Sequence, residues 1–171
     1  MKQPSWILLL SVFAGCASYS GGELKPGVAT LADVERLMGA PVMRWPAPDG
    51  SLKIAYPRGP QGIHTWMVRL APDGKLSDIR NVLEPETLDS IRPGMTQDEV
   101  LFVLGPSQSH WTQRFPARNE LAWEWRWCNN FGEPSRFDVI VDERTGRVLS
   151  TMSQTEDMMG LNDMSRGHCM R

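Results

Sequence analysis

The sequence predicts an α+β protein of two tandem units, each with one or two short helices packed on a three-stranded antiparallel meander. Three observations predict it. A helix-start and helix-stop pattern occurs twice: Thr30, Asp33, Val34, Gly39 and Trp45 find counterparts in Thr96, Glu99, Val100, Gly105 and Trp111, at a constant offset of 66 residues. Each copy is followed by runs that alternate apolar and polar residues, the period of half-buried strands. Turn signatures interrupt those runs at matching places, Ala71-Pro72-Asp73-Gly74 in one copy and residues 142–146 in the other. Such self-similarity constrains architecture before any single residue does. It also turns the functional expectation away from catalysis, because an enzyme usually holds one asymmetric site.

The chain opens with a targeting pattern. Lys2 and the amino terminus are positive, residues 6–13 are apolar, and Ala14-Gly15-Cys16 follows at once. The apolar run is too short to span a bilayer. A small-small-Cys triplet after such a run resembles a bacterial lipobox, which implies cleavage before Cys16 and lipid attachment to it. The alternative is ordinary secretory cleavage after Ala17. On the first reading, residues 1–15 are a lipoprotein signal peptide and 16–23 a lipidated tether. Ala17 is not the aspartate that retains lipoproteins in the inner membrane, so the resemblance implies the outer membrane, facing the periplasm.

The first unit is expected over residues 24–83. Pro26-Gly27 suits a type II turn. Thr30 and Asp33 make a weak capping box, Val34, Leu37 and Met38 give one apolar helix stripe, and Gly39 and Pro41 stop the helix. Leu52, Ile54 and Tyr56 alternate along one strand, and Trp66, Val68 and Leu70 along the next. The 71–74 turn then leads into residues 75–82. Glu84-Pro85-Glu86 marks the boundary, and the second unit is expected over 84–152. Residues 85–91 read as a short helix. Thr96 and Glu99 make a stronger capping box, Val100, Val103 and Leu104 repeat the stripe, and Gly105-Pro106 repeats the stop. Leu121, Trp123, Trp125 and Trp127 share one strand face, with Ala122, Glu124, Arg126 and Cys128 on the other. Phe137, Val139 and Val141 form the next row. The offset grows to 71 at Phe137 and 72 at Gly146, and the drift falls in loops, where insertions are tolerated. Residues 153–171 are polar, rich in methionine and expected to be disordered.

The run Ile91-Arg92-Pro93-Gly94-Met95-Thr96, with Glu99, Val100 and Gly105-Pro106 and the aromatic strand beyond, resembles the SmpA/OmlA (BamE) domain of outer-membrane lipoproteins. The likeness covers most of residues 24–152, and the second copy is the closer match. It implies a non-catalytic accessory of β-barrel assembly or envelope integrity. Its partners would be the membrane, through the lipid anchor, and envelope proteins, among them the barrel-assembly machinery. Two copies in one chain depart from that family. Tandem units of similar architecture occur in β-lactamase inhibitory proteins. This gives the alternative of a periplasmic inhibitor or ligand-binding module that clamps a partner with its sheets.

Charge and motifs exclude other classes. A formal net charge of −2, from 18 basic and 20 acidic residues, leaves no electrostatic footprint for nucleic acid. No nucleophile elbow, zinc-protease helix, paired-cysteine redox motif or phosphate loop is present. No cofactor is expected, and His64 and His110 have no triad partner in view. His168-Cys169-Met170 with Met158, Met159 and Met164 is rich in soft ligands but lacks ligand spacing, so no metal site is assigned. Cys128 and Cys169 are an even pair in an exported chain, either bridged or two thiols. The Trp123-Trp125-Trp127 row reads chiefly as a core face. Trp127, nearest the strand end, is taken with Trp111 and Trp45 as a candidate partner-binding residue.

Overall fold

The computed structural model describes residues 20–58, 62–161 and 169. The expected signal peptide, Cys16 and the tail residues Met164, His168 and Met170 lie outside the described residues.

Local chemistry builds the same helix twice. The helices are α1 (Leu31–Met38), α2 (Pro85–Leu88) and α3 (Gln97–Leu104). At the start of α1 the Asp33 carboxylate accepts the Thr30 N–H at 3.0 Å, while the Thr30 hydroxyl accepts the Asp33 N–H at 3.4 Å. Glu99 and Thr96 make the same exchange at the start of α3, at 2.7 and 3.2 Å. Each box satisfies two donors that the first helical turn would otherwise leave open. Both helices end on a glycine with positive φ, 83° at Gly39 and 73° at Gly105, where a side chain would be strained.

Among the described residues there are eight strands. They are β1 (Met43–Pro46), β2 (Leu52–Pro57), β3 (Thr65–Leu70), β4 (Leu76–Asn81), β5 (Gln113–Phe115), β6 (Glu120–Cys128), β7 (Pro134–Asp142) and β8 (Arg147–Thr155). They form two separate antiparallel sheets, in the orders β1-β2-β3-β4 and β5-β6-β7-β8. The three-strand expectation is therefore corrected to four strands per sheet. The added strands are edges, four residues containing Pro46 and three residues before Pro116. Neither is long enough to show alternation, and Pro46 is tolerated at an edge because a missing N–H costs least there. The second sheet also runs past residue 152: β8 continues to Thr155 and the next residue, Glu156, is buried.

The two halves match in detail. A register shift falls at Arg69/Leu70 in one sheet and at Ile140/Val141 in the other. The turn before each helix is bonded to the last strand of its own sheet, Gly27 N–H to Leu76 O and Gly94 N–H to Val148 O. The helix α1 buries Val34 and Met38 against Ile54, Tyr56, Val68 and Leu70. On the second sheet, Val100 and Leu104 of α3 pack with Leu88, Ile91, Trp125, Phe137 and Val139.

The halves stack because α3 has two working sides. The opposite face of the first sheet carries Ala55 and Met67, both buried. The end of α3 lies on this face: a Cβ added to Gly105 would sit 2.9 Å from Thr65 Cγ2 and 3.3 Å from Ala55 Cβ. Phe102 reaches the same surface. Its ring meets Trp45 edge-on at 5.8 Å, and the Lys53 ammonium lies 3.7 Å from its centre. Lys53 also donates to the Phe102 carbonyl. Burial, followed by repulsion from Arg69 and Arg80, lowers the Lys53 pKa to about 8. The layers therefore run α1, first sheet, α3, second sheet. Phe102→Ala is expected to cost about 1 kcal/mol, read as a lower urea midpoint, because it removes an aromatic pair and a cation–π contact. An unchanged midpoint would mean that the two halves do not support each other through this ring.

Candidate functional site

The far face of the second sheet is where the halves differ most. In the first sheet Ala55 faces Met67 and Pro57 faces Thr65. At the equivalent register of the second sheet Glu124 faces Asp138 and Arg126 faces Arg136. The residues that receive a helix in one sheet are thus replaced by four charged residues in the other.

These charges are not solvated. Glu156 is 0 % exposed, Arg136 1 %, Glu124 7 % and Asp138 8 %. Arg136 bridges two glutamates, with Nη1 2.5 Å from Glu124 Oε1 and Nε 2.6 Å from Glu156 Oε1. Arg126 holds Glu156 bidentately, at 2.7 and 2.8 Å. The Trp111 ring covers the cluster, 3.6 Å from the Arg136 guanidinium. Trp111 is brought there by the segment after α3, where the Gln108 N–H bonds the Glu124 carbonyl. Burial acts to raise the Glu156 carboxyl, but the bonds from Arg126 and Arg136 outweigh it and hold it below the usual range. Asp138 goes the other way. Burial and then the adjacent Glu124 push it up to about 6, against the pull of Arg136. The arginines and carboxylates of the cluster are engaged with one another. The cluster seals the end of the stack and holds the chain beyond β8 against the sheet.

The tryptophans pack within the chain. Trp127, expected at the exposed end of its row, is buried at 8 % and packs with Trp125 and Phe137, its Nε1–H 3.3 Å from Ser153 Oγ. Its expected exposure is corrected, because β7 and β8 extend beside it to the strand end. Trp111 lies on Arg136 and Trp45 against Phe102, so both make contacts within the chain. His64 stacks on Trp66 at 5.7 Å and His110 leans on Trp111 at 4.7 Å.

A second feature lies where β2 and β6 end. A cavity of about 780 Å³ is lined by Ser20, His64, Trp66 and Glu84 on one side and Asn129 and Cys169 on another. A disulfide joins Cys128 to Cys169, with Cα atoms 5.8 Å apart. Among the described residues no group of three His, Cys, Asp or Glu gathers as metal ligands. No described helix is long and apolar enough to cross a membrane.

The residues missed from sequence are Glu124, Asp138, Arg136 and Glu156. A signal was present, since Arg136 and Asp138 alternate with Phe137 and Val139 where the first unit has Thr65 and Met67. Alternation of that kind reads as a solvated face, and only the Trp111 segment and the chain after β8 make it a buried one.

Residues 80–112 match the family model of the outer membrane protein assembly factor BamE domain. This part of the chain is BamE-like. The match begins at the end of β4, takes in α2 and α3 with the turn between them, and ends just past Trp111. The BamE-like segment therefore contains the helix shared by both sheets and the aromatic cover of the charge cluster. No curated protein and no solved structure matches the chain.

Proposed function

We propose that this protein is a non-catalytic outer-membrane lipoprotein, anchored through Cys16, that assists β-barrel protein assembly or envelope integrity by binding other envelope proteins. The observation that carries the reading is the assembly-factor match over residues 80–112. The lipobox-like Ala14-Gly15-Cys16 supports it independently. Both units would be of the BamE kind, with the first copy more diverged and the Cys128–Cys169 bridge supporting an exported location. The tether would raise the effective concentration of a weak contact at the membrane surface.

The inhibitor-like alternative is less well supported. A clamp needs a free sheet face, and the central strands are covered on both sides, with Ile54 and Ala55 buried in one sheet and Glu124 and Trp125 in the other. Affinity capture from solubilised envelopes separates the two readings. Barrel-assembly components are the expected catch; a single soluble hydrolase in stoichiometric yield would replace this reading with the alternative. Cys16→Ser is expected to move the protein from the membrane fraction to the soluble one, and intact-mass measurement of the parent protein is expected to show acyl chains.

A further inference from the structure

Phe131 is 86 % exposed, the highest value among the large hydrophobic residues on the described surface. It sits at the tip of the β6–β7 turn, and that turn is tightly built. Asn129 Oδ1 accepts the N–H groups of Phe131 and Glu133, each at 2.9 Å, and Asn129 Nδ2 donates to the Glu133 carboxylate at 2.9 Å. The Gly132 N–H bonds the Asn129 carbonyl, and the Gly132 carbonyl accepts the Cys169 N–H. The disulfide to Cys169 fixes the strand end from which the turn springs. An apolar ring is thus held outward by a turn whose polar groups are largely satisfied from within. Such a turn sheds its bound water at low cost, because few of its N–H and C=O groups would lose a partner.

The position of the anchor gives this ring a partner. Ser20 lines the same cavity as Asn129, Asn130 and Cys169. Ser20 lies only four positions after Cys16, a reach of roughly 14 Å when fully extended. This step rests on the reading that Cys16 carries lipid. An acylated Cys16 lies at the bilayer surface, so the end of the molecule that holds Ser20 lies there too. We propose that the 129–132 turn is a membrane-contact element, and that Phe131 enters the interfacial layer of the bilayer that holds the Cys16 acyl chains. The tether and the ring together make two points of attachment, which orient the protein where a single anchor would not. The strands then stand away from the membrane, and the 142–146 turn, at the far end of the nine-residue β7, faces the aqueous side, roughly 30 Å off.

The test uses the acylated full-length protein with the solvent-sensitive fluorophore NBD attached through Phe131→Cys or, as control, through Arg144→Cys. Both positions are exposed, so labelling leaves the core intact. The proteins are reconstituted on protein-free phosphatidylcholine vesicles. At position 131 a blue-shifted emission protected from aqueous iodide is expected, and at 144 neither. Iodide access at both positions in vesicle-bound, acylated protein overturns the proposal and leaves the anchor standing. Protection at 131 that needs added envelope proteins overturns it in favour of a protein partner. Protein that proves unacylated and soluble removes the anchor and this proposal together.

Discussion

Arg136→Ala is expected to lower the unfolding free energy by about 3–5 kcal/mol, as is typical when one partner of a buried ion pair is removed. Arg136 is 1 % exposed, and its guanidinium serves Glu124, Glu156 and the Trp111 ring at once. Its loss leaves three carboxyl groups, those of Glu124, Asp138 and Glu156, facing Arg126 alone in a space water cannot fill freely. It also removes the platform on which Trp111 rests, so the segment after α3 loosens with the chain beyond β8. For a domain of this size that cost corresponds to a fall in melting temperature of roughly 6–20 °C. A melting temperature within a degree or two of the parent's would show that the cluster is open to water and screened, as surface pairs are. Arg136→Lys separates charge from geometry. A point charge cannot reproduce the two directed bonds and the stacked plane, so this variant is expected to recover only part of the loss.

The cluster also explains what the sequence disclosed and what it did not. Both long helices were legible because everything that starts and stops them is local: Thr30 with Asp33, Thr96 with Glu99, then Gly39 and Gly105. The inner core rows were legible because Ile54, Val68, Trp125 and Val139 obey the strand period. The edge strands were not, since three or four residues that include or adjoin a proline carry no period. The stacking was not legible either. It depends on Phe102 and Gly105 of one half meeting Trp45, Thr65 and Ala55 of the other, across a separation no local pattern spans. The positions that match the contact between the halves carry charge in the two outer layers. Arg36, paired with Asp33, holds on α1 the place that Phe102 holds on α3, and Glu124 with Asp138 replaces Ala55 with Met67.

Asp138→Asn is expected to make the protein more stable at neutral pH and to flatten its stability between about pH 4 and pH 6. An unfolded aspartate titrates near 3.8, whereas in the fold this carboxyl is raised to about 6 by burial and then by Glu124, with Arg136 opposing. Between those values the folded chain keeps a proton that the unfolded chain has released. Stability therefore falls as pH rises through the window and levels off above it. The difference of pKa, from 3.8 to about 6, sets the loss at on the order of 3 kcal/mol, at 1.36 kcal/mol per unit. Asparagine keeps a hydrogen-bonding group beside Glu124 without the charge, and so removes the penalty. The other shifted carboxyl of the cluster, Glu156, has the opposite sign. Its pKa is lowered, so its contribution is present above the unfolded value of 4.5 and is lost as pH falls further. Urea midpoints across this range distinguish the two effects. The Asp138→Asn variant should lose the decline toward neutrality and keep the acid limb. Parallel curves for parent and variant would mean that Asp138 releases its proton at an ordinary pH and that Glu124 and Asp138 do not share a confined site. The penalty has a physical cause in the fold: a second carboxylate beside Glu124 in a buried space costs stability at neutral pH, where Met67, its counterpart in the first sheet, carries no charge.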